Sequence, residues 1–335
     1  MTTPDKKFDV VAIGAVCVDA QVIGDDALLE RYSLTKAVSN DIGADVLKYA
    51  ADDGMPKTAG GPATNIAAGI ALRGGNAALV GKVAGDDLGS FFSARMQSFG
   101  VEYTALLAED ADKGTTFIMV VTTPDKERTF ACYNGAGLML SPEDIDRSLI
   151  REAKITYLDS YLWLSENGRE AVRHAAETAK QEGSLVALSL NDRHIVEKNR
   201  EAFLSLATSH ADILVGDQKE FGALFGTTTL EETKDAVAKL GVIASITAGA
   251  KGAYVIEDGV MTHVPAEKIE HVVDTSGAGD AFAAGFLYGL SQGKTAPDAA
   301  SIGASWAADI IQHFGAEPKI GKNASPSAPG RKHAP

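Results

Sequence analysis

Cysteine is scarce in this chain. Cys17 and Cys132 are the only two in 335 residues, and they stand far apart. Such sparse usage excludes a disulfide framework and the paired spacing of a structural zinc site, and makes a reducing cytoplasm the default expectation. Basic charge is also short: 31 Lys and Arg face 45 Asp and Glu, a formal net charge of -14. That balance argues against nucleic acid and anionic membrane as partners, since both attract cations. It does not exclude an anionic small molecule, which a few local amides or arginines can hold. Long apolar runs are missing too. The N-terminal stretch MTTPDKKFDVVAIG holds an apolar segment too short for a signal peptide or a membrane span. There is no internal repeat. The first strand-like run is followed by GAVCVDAQ instead of G-x-G-x-x-G, which excludes the dinucleotide-binding turn of an NAD-linked dehydrogenase.

What is present is an ordinary globular composition, 45% apolar and 23% charged, at a length that allows one large α/β domain or two smaller ones. Short apolar runs predict strands over 9–16, 155–159, 185–190, 212–215 and 243–247. Helical periodicity lies between several of them, as at 168–182 and 230–240. This rhythm implies a mostly parallel sheet covered by helices. Two segments break it. Residues 115–134 read as a β-hairpin around a Pro-Asp turn, and 18–60 lack a βα rhythm. Together they predict a small β-rich lid over 18–60 and 111–135, with the main domain over 8–17, 61–110 and 136–318. A second hairpin is expected around Asp258-Gly259. The Pro-, Ser- and Gly-rich stretch 319–335 reads as a flexible tail.

The most informative segment is DTSGAGDAFAAGFLYGLSQG, starting at Asp274. Phe282, Phe286, Leu287 and Leu290 follow helical spacing, and Gly293 ends the helix. Gly277 and Gly279 therefore stand at a helix N-terminus, where unpaired N–H groups and the positive dipole end face an anion. Asp280 sits beside that position, where a carboxylate can take the proton from an attacking hydroxyl. A bare Gly-x-Gly would read as a turn into a core helix. The full string D-T-S-G-A-G-D is far more specific, and it resembles the second signature of the ribokinase, or PfkB carbohydrate kinase, family.

The likeness runs from about residue 8 to about residue 317. It implies a three-layer, doubly wound α/β fold with a lid, and ATP-dependent phosphoryl transfer to an alcohol. By resemblance, Gly277, Ala278 and Gly279 form the anion hole and Asp280 is the catalytic base. ATP carries Mg²⁺, bound mainly through phosphate and water. A monovalent cation (K⁺) site near Asp274 and Ser276 is also implied.

At the substrate end, AGGPATNIAAGIALRGG over 59–75 places Gly60-Gly61 before Pro62, which suits the first turn of a helix, with Asn65 one turn in. The double glycine permits close approach, and Asn both donates to and accepts from hydroxyls. The pattern resembles the family's first signature, which assigns Gly60, Gly61 and Asn65 to the sugar. Asp19 follows the first strand at the open end of the sheet, where α/β ligands bind. It matches the family Asp that accepts from vicinal hydroxyls. Arg128 lies on the second strand of the 115–134 hairpin. It reads either as an exposed strand arginine or, by resemblance to adenosine kinase-like members, as a cation reaching the phosphoryl region. Phe117 and Tyr133 read equally as walls for a base and as lid core.

At the nucleotide end, Thr247, Gly249 and Gly252 resemble the family's T-x-G-x-x-G loop beside the ATP phosphates. Residues 217–220 (DQKE) stand where the family carries N-x-x-E. Glu220 carries over as an Mg²⁺-organising residue acting through water. Asp217, in place of Asn, either strengthens metal attraction or is a surface acid. The adenine pocket is expected from 302–315.

LLERYSLTKA at 28–37, the long stretch before GGPATN and VVTTPDKERTF at 120–130 look more like the adenosine kinase branch than like ribokinase. Adenosine or another nucleoside, phosphorylated at its primary 5′-type hydroxyl, is therefore the first substrate expectation. A free pentose, hexose or sugar acid is the alternative. A non-catalytic sugar- or nucleoside-binding protein is the rival of a different class, against which the intact Asp280 speaks. The resemblance leaves monomer and homodimer both open.

Overall fold

The computed structural model describes residues 6–44, 46–47, 54–110 and 113–319. The expected tail lies outside them except for Lys319. Fifteen strands are found among the described residues. Eight form the main sheet: β1 (Phe8–Ile13), β5 (Ala77–Val80), β10 (Ala153–Leu158), β11 (Leu185–Ser189), β12 (Ile213–Asp217), β13 (Ile243–Thr247), β14 (Ala253–Glu257) and β15 (Val260–Val264). Their order is β15-β14-β13-β12-β11-β10-β1-β5. The strands from β5 to β13 run parallel, while β14 and β15 are an antiparallel edge hairpin. Asp258 and Gly259, both at positive φ, make its turn, as a two-residue hairpin of this hand requires.

The inner strands are largely apolar because both faces are covered, whereas the edge strand β15 is only partly buried. Successive residues part company across the sheet. Val10, Ala12, Ile155, Tyr157 and Val215 face helices α1 (Pro62–Leu72), α6 (Ala278–Ser291) and α7 (Ala296–Ile310). Val11, Ile13, Leu158, Leu214 and Ile246 face the other side, with α3 (Glu166–Gln181), α4 (Gln218–Phe225) and α5 (Leu230–Leu240). Helix α2 (Asp87–Phe99) buries Phe92 and Met96 in the first of these cores. This is the three-layer, doubly wound arrangement.

The lid is a five-stranded sheet of β2 (Cys17–Ile23), β3 (Ser39–Asp41), β4 (Lys57–Gly60), β8 (Phe117–Thr122) and β9 (Arg128–Tyr133). Its order is β3-β9-β8-β2-β4. Strands β8 and β9 form the expected hairpin. Phe117, Met119 and Val121 are fully buried along one face. Phe117 and Tyr133 thus belong to the hydrophobic core, and Tyr133 Oη accepts from the Gly114 amide at 3.1 Å. A small parallel pair, β6 (Lys82–Val83) with β7 (Leu106–Leu107), completes the set.

The first predicted strand runs to residue 16, but β1 stops at Ile13. Gly14 is wedged where a Cβ would lie 2.5 Å from Ala63 Cβ and 2.7 Å from Asp159. The chain leaves the sheet there and enters the lid at Cys17. No described helix is long and apolar enough to cross a membrane.

Candidate active site

Helix α6 begins after Gly277, which has φ +74°. A Cβ at this position would sit 2.8 Å from Ala316. Both the backbone hand and the contact demand glycine. The Ala278 amide donates to Thr275 O at 3.3 Å and the Ala281 amide to Gly277 O at 2.8 Å. Between them, the N–H groups of Gly279 and Asp280 have no protein partner among the described residues. A Cβ on Gly279 would meet nothing within 4 Å. Two donors at a helix start therefore face open space, the geometry that receives an anion.

Asp280 is half-buried at this point. Its Oδ2 accepts from Asn65 Nδ2 at 2.8 Å. Burial pushes its pKa up to about 6, and the Asn65 hydrogen bond opposes the rise. Asn65 itself is 4% exposed, and among the described residues its Oδ1 has no partner, nor has Thr64 Oγ1 beside it. An orphaned buried acceptor next to Asp280 needs a donor such as a hydroxyl.

Asp19 lies on β2 against Gly60, where a Cβ would collide with its carboxylate at 2.2 Å. Burial raises Asp19 to about 6, with the charges of Asp280 and Glu317 adding to the rise. Gly61 caps α1 and Pro62 fills its first position. The first-signature residues and Asp19 thus converge on Asp280 from the lid side.

On the other side of Asp280 a cavity of about 1190 Å³ opens along the C-terminal strand ends. Gly279, Asp280, Thr247, Gly249, Asp217 and Glu220 all line it. Gly252 does not; it closes the turn by donating to Gly249 O and accepting from Ala248. None of residues 302–315 lines the cavity, because α7 packs against α6. Arg128 also stays outside it and pairs with Asp274 at 2.5 Å.

Asp217 is the N-cap of α4. Its carboxylate accepts from the Lys219 and Glu220 amides at 2.7 and 2.8 Å, and Glu220 Oε2 accepts from the Asp217 amide at 2.8 Å. This reciprocal capping box explains why Asp stands here: it caps as well as Asn. Burial lifts Glu220 to about 7. Among the described residues no group of three or more His, Cys, Asp or Glu is placed to hold a metal ion. Asp217 and Glu220 on the cavity wall suit Mg²⁺ held chiefly by nucleotide phosphates and water.

A monovalent cation at Asp274 and Ser276 fits poorly. Asp274 Oδ1 already accepts from Ser276 N, Ser276 Oγ and Arg128, and Oδ2 accepts from the Gly315 amide at 3.0 Å. Burial opposes the charge of Asp274, but these partners hold its pKa below the ordinary value.

Sequence reasoning missed Ser189, Asn191, Arg193, Ser245 and Thr227–Thr229 on the cavity wall. Asn191 Nδ2 donates to Asp159 at 2.6 Å, and burial raises that fully enclosed carboxylate to about 7. Asp159 and Asn191 stand just beyond β10 and β11, which was the available signal, since α/β ligands gather at carboxyl strand ends.

A model of the pfkB family carbohydrate kinases matches residues 34–322. The chain is 29% identical over 315 residues to 5-dehydro-2-deoxygluconokinase of Shouchella clausii, covering 91% of this chain and 90% of that one. The Bacillus subtilis protein of the same name is 26% identical over 317 residues, covering 92% and 91%. Among solved structures, a probable sugar kinase from Rhizobium etli superposes with TM-score 0.84 at 34% identity, covering 94% of this chain and 96% of that one. An adenosine kinase from Sinorhizobium meliloti gives TM-score 0.83 at 34% identity, covering 94% and 97%. With a family match over most of its length, on a fold that brings the two signatures together at Asp280, the chain belongs to the pfkB family of carbohydrate kinases, which are ATP-dependent phosphotransferases.

Proposed function

We propose that the protein transfers the γ-phosphoryl group of ATP to the primary hydroxyl of a free sugar or sugar acid, with Asp280 as general base. The observation that carries this reading is the placement of Asp280 between the open amides of α6 and the orphaned acceptor of Asn65. A substrate hydroxyl donating to Asn65 Oδ1 would lie beside the Asp280 carboxylate. Asp280 takes the hydroxyl proton as the oxygen attacks the γ-phosphorus, and the bond to the ADP oxygen breaks. The Gly279 and Asp280 amides receive the charge spreading over the phosphoryl oxygens. Mg²⁺, organised by Glu220 and Asp217, would neutralise the polyphosphate.

The nucleoside expectation set first by the sequence gives way to the sugar alternative. The curated relatives are named as kinases of a sugar acid, 5-dehydro-2-deoxygluconate. Adenosine remains a second reading on one observation, the 34% identity to the Sinorhizobium meliloti adenosine kinase.

ADP release with Mg·ATP should be measured on 5-dehydro-2-deoxygluconate, 2-keto-3-deoxygluconate, fructose, ribose, adenosine and inosine. Turnover with a sugar or sugar acid, abolished by Asp280→Asn, is the expected result. Turnover confined to adenosine would move the substrate to the second reading. Ligand-induced melting shifts without ADP release would make the protein a binder.

A further inference from the structure

We propose that the Arg128 guanidinium is the resident cation of the anion loop, so that the enzyme works without K⁺ and the lid itself supplies the positive charge at Asp274. This rests on the reading of loop 274–280 as the phosphoryl site.

Asp274 is a buried carboxylate, with only 3% of its side chain exposed, six positions before the base. Left uncompensated, its charge would oppose an incoming phosphoryl group and penalise the fold. One positive charge is needed beside it. A carboxylate offers about four acceptor sites. Here Oδ1 meets three donors, Ser276 N, Ser276 Oγ and Arg128 Nη2, and Oδ2 meets a fourth, Gly315 N. An alkali cation needs converging oxygens, whereas the positive ends of three N–H groups and one O–H converge at Asp274. Arg128 thus brings the charge and a hydrogen bond together, the strong form of such a contact.

The arginine also comes from a different layer. It opens β9 of the lid, while Asp274 enters the loop of the main domain. A second tie runs parallel to it. Glu317, 4% exposed, accepts from the lid amide of Ala59 at 3.1 Å and from Arg95 Nε of α2 at 2.9 Å. Ala316, between Gly315 and Glu317, is the residue packed on Gly277. The segment 315–317 therefore straps the lid to the anion loop, and Arg128 is the charged member of that joint. Arg128 acts on the reaction through Asp274, as a positioning residue. It does not line the nucleotide cavity.

The test compares full-length wild type, Arg128→Gln and Arg128→Lys in KCl, NaCl and choline chloride at equal ionic strength, which keeps screening constant. The melting temperature of wild type should be the same in all three salts, whereas a specifically bound ion well above its Kd would raise it by several degrees. Wild-type kcat should vary by less than about twofold between salts. Arg128→Gln should lose about tenfold or more in kcat in choline, as expected when a group orienting an anion hole is removed, and Arg128→Lys should keep much of it. A K⁺-specific rise in wild-type melting temperature, or Arg128→Gln turning over at the wild-type rate in choline, would overturn the proposal. The melting comparison needs no substrate. A protein silent on every sugar would therefore count against the proposed function, while the melting data alone would still decide for or against the arginine as resident cation.

Discussion

The side-chain amide of Asn65 donates to Asp280 Oδ2 at 2.8 Å, joining residues 215 positions apart in the chain. One comes from the first turn of α1 and the other from the first turn of α6. Two helix starts thus face each other over the site. The bond orients Asp280, the proposed base, and restrains its pKa, while Asn65 Oδ1 has no partner among the described residues.

Removing that bond should show in the pH profile. Asn65→Ala takes away a hydrogen bond that favours the ionised form of Asp280, so the base should titrate at higher pH. At neutral pH kcat/KM should fall by about ten- to a hundredfold, because orientation is lost as well. The check is the acidic limb of log kcat/KM against pH. An unmoved limb would mean that another group sets it.

In wild type, the acidic limb should bend near the value of about 6 to which burial lifts Asp280. As the proposed general base Asp280 must be ionised, so activity should rise as pH climbs through that value. One unit below it, kcat/KM should be about tenfold down. Asp280→Asn should lose about a thousandfold in kcat at all pH values, while binding substrate with a similar melting shift.

Stability should run the other way. Asp19 and Asp280 are raised to about 6, and Asp159 and Glu220 to about 7. With raised folded pKa values, the native state holds more protons than the unfolded chain in this window. Stability is therefore full at the lower end and is lost as pH rises through the folded values. The melting temperature should fall between about pH 4 and about pH 7. Asp280→Asn should flatten part of that fall, the signature of a site charged for function at the expense of stability.

The capping box at α4 separates a structural role from a metal role. Asp217→Ala should cost about 1 kcal/mol in urea unfolding, and Asp217→Asn should cost nearly nothing, because both side chains cap. An equal loss in both would show that the charge of Asp217, not its cap, matters.

Gly277→Ala forces a side chain into a left-handed residue pressed on Ala316. A loss of about 1–3 kcal/mol is expected, with turnover falling further as the amides of Gly279 and Asp280 tilt. Calorimetry and ADP release on the same sample read both.

By itself, the sequence determined the layered fold and the helix-start glycines. Apolar runs alternating with amphipathic helices fix a parallel sheet through local period and burial alone, and the strands over 185–189 and 243–247 fall where those runs do. The D-T-S-G-A-G-D string marked a helix N-terminus because glycine hand and small side chains are local properties. Tertiary structure alone decided which distant residues share a charge. Arg128 read equally as a surface arginine or a phosphate contact until the lid sheet set it against Asp274. Gly252 carried a motif position yet serves a turn. Asn191 carried no motif yet lines the cavity, held there by its hydrogen bond to the buried Asp159. The reason is physical: pKa, pairing and access depend on the dielectric and on neighbours brought from other parts of the chain, and no local pattern records those.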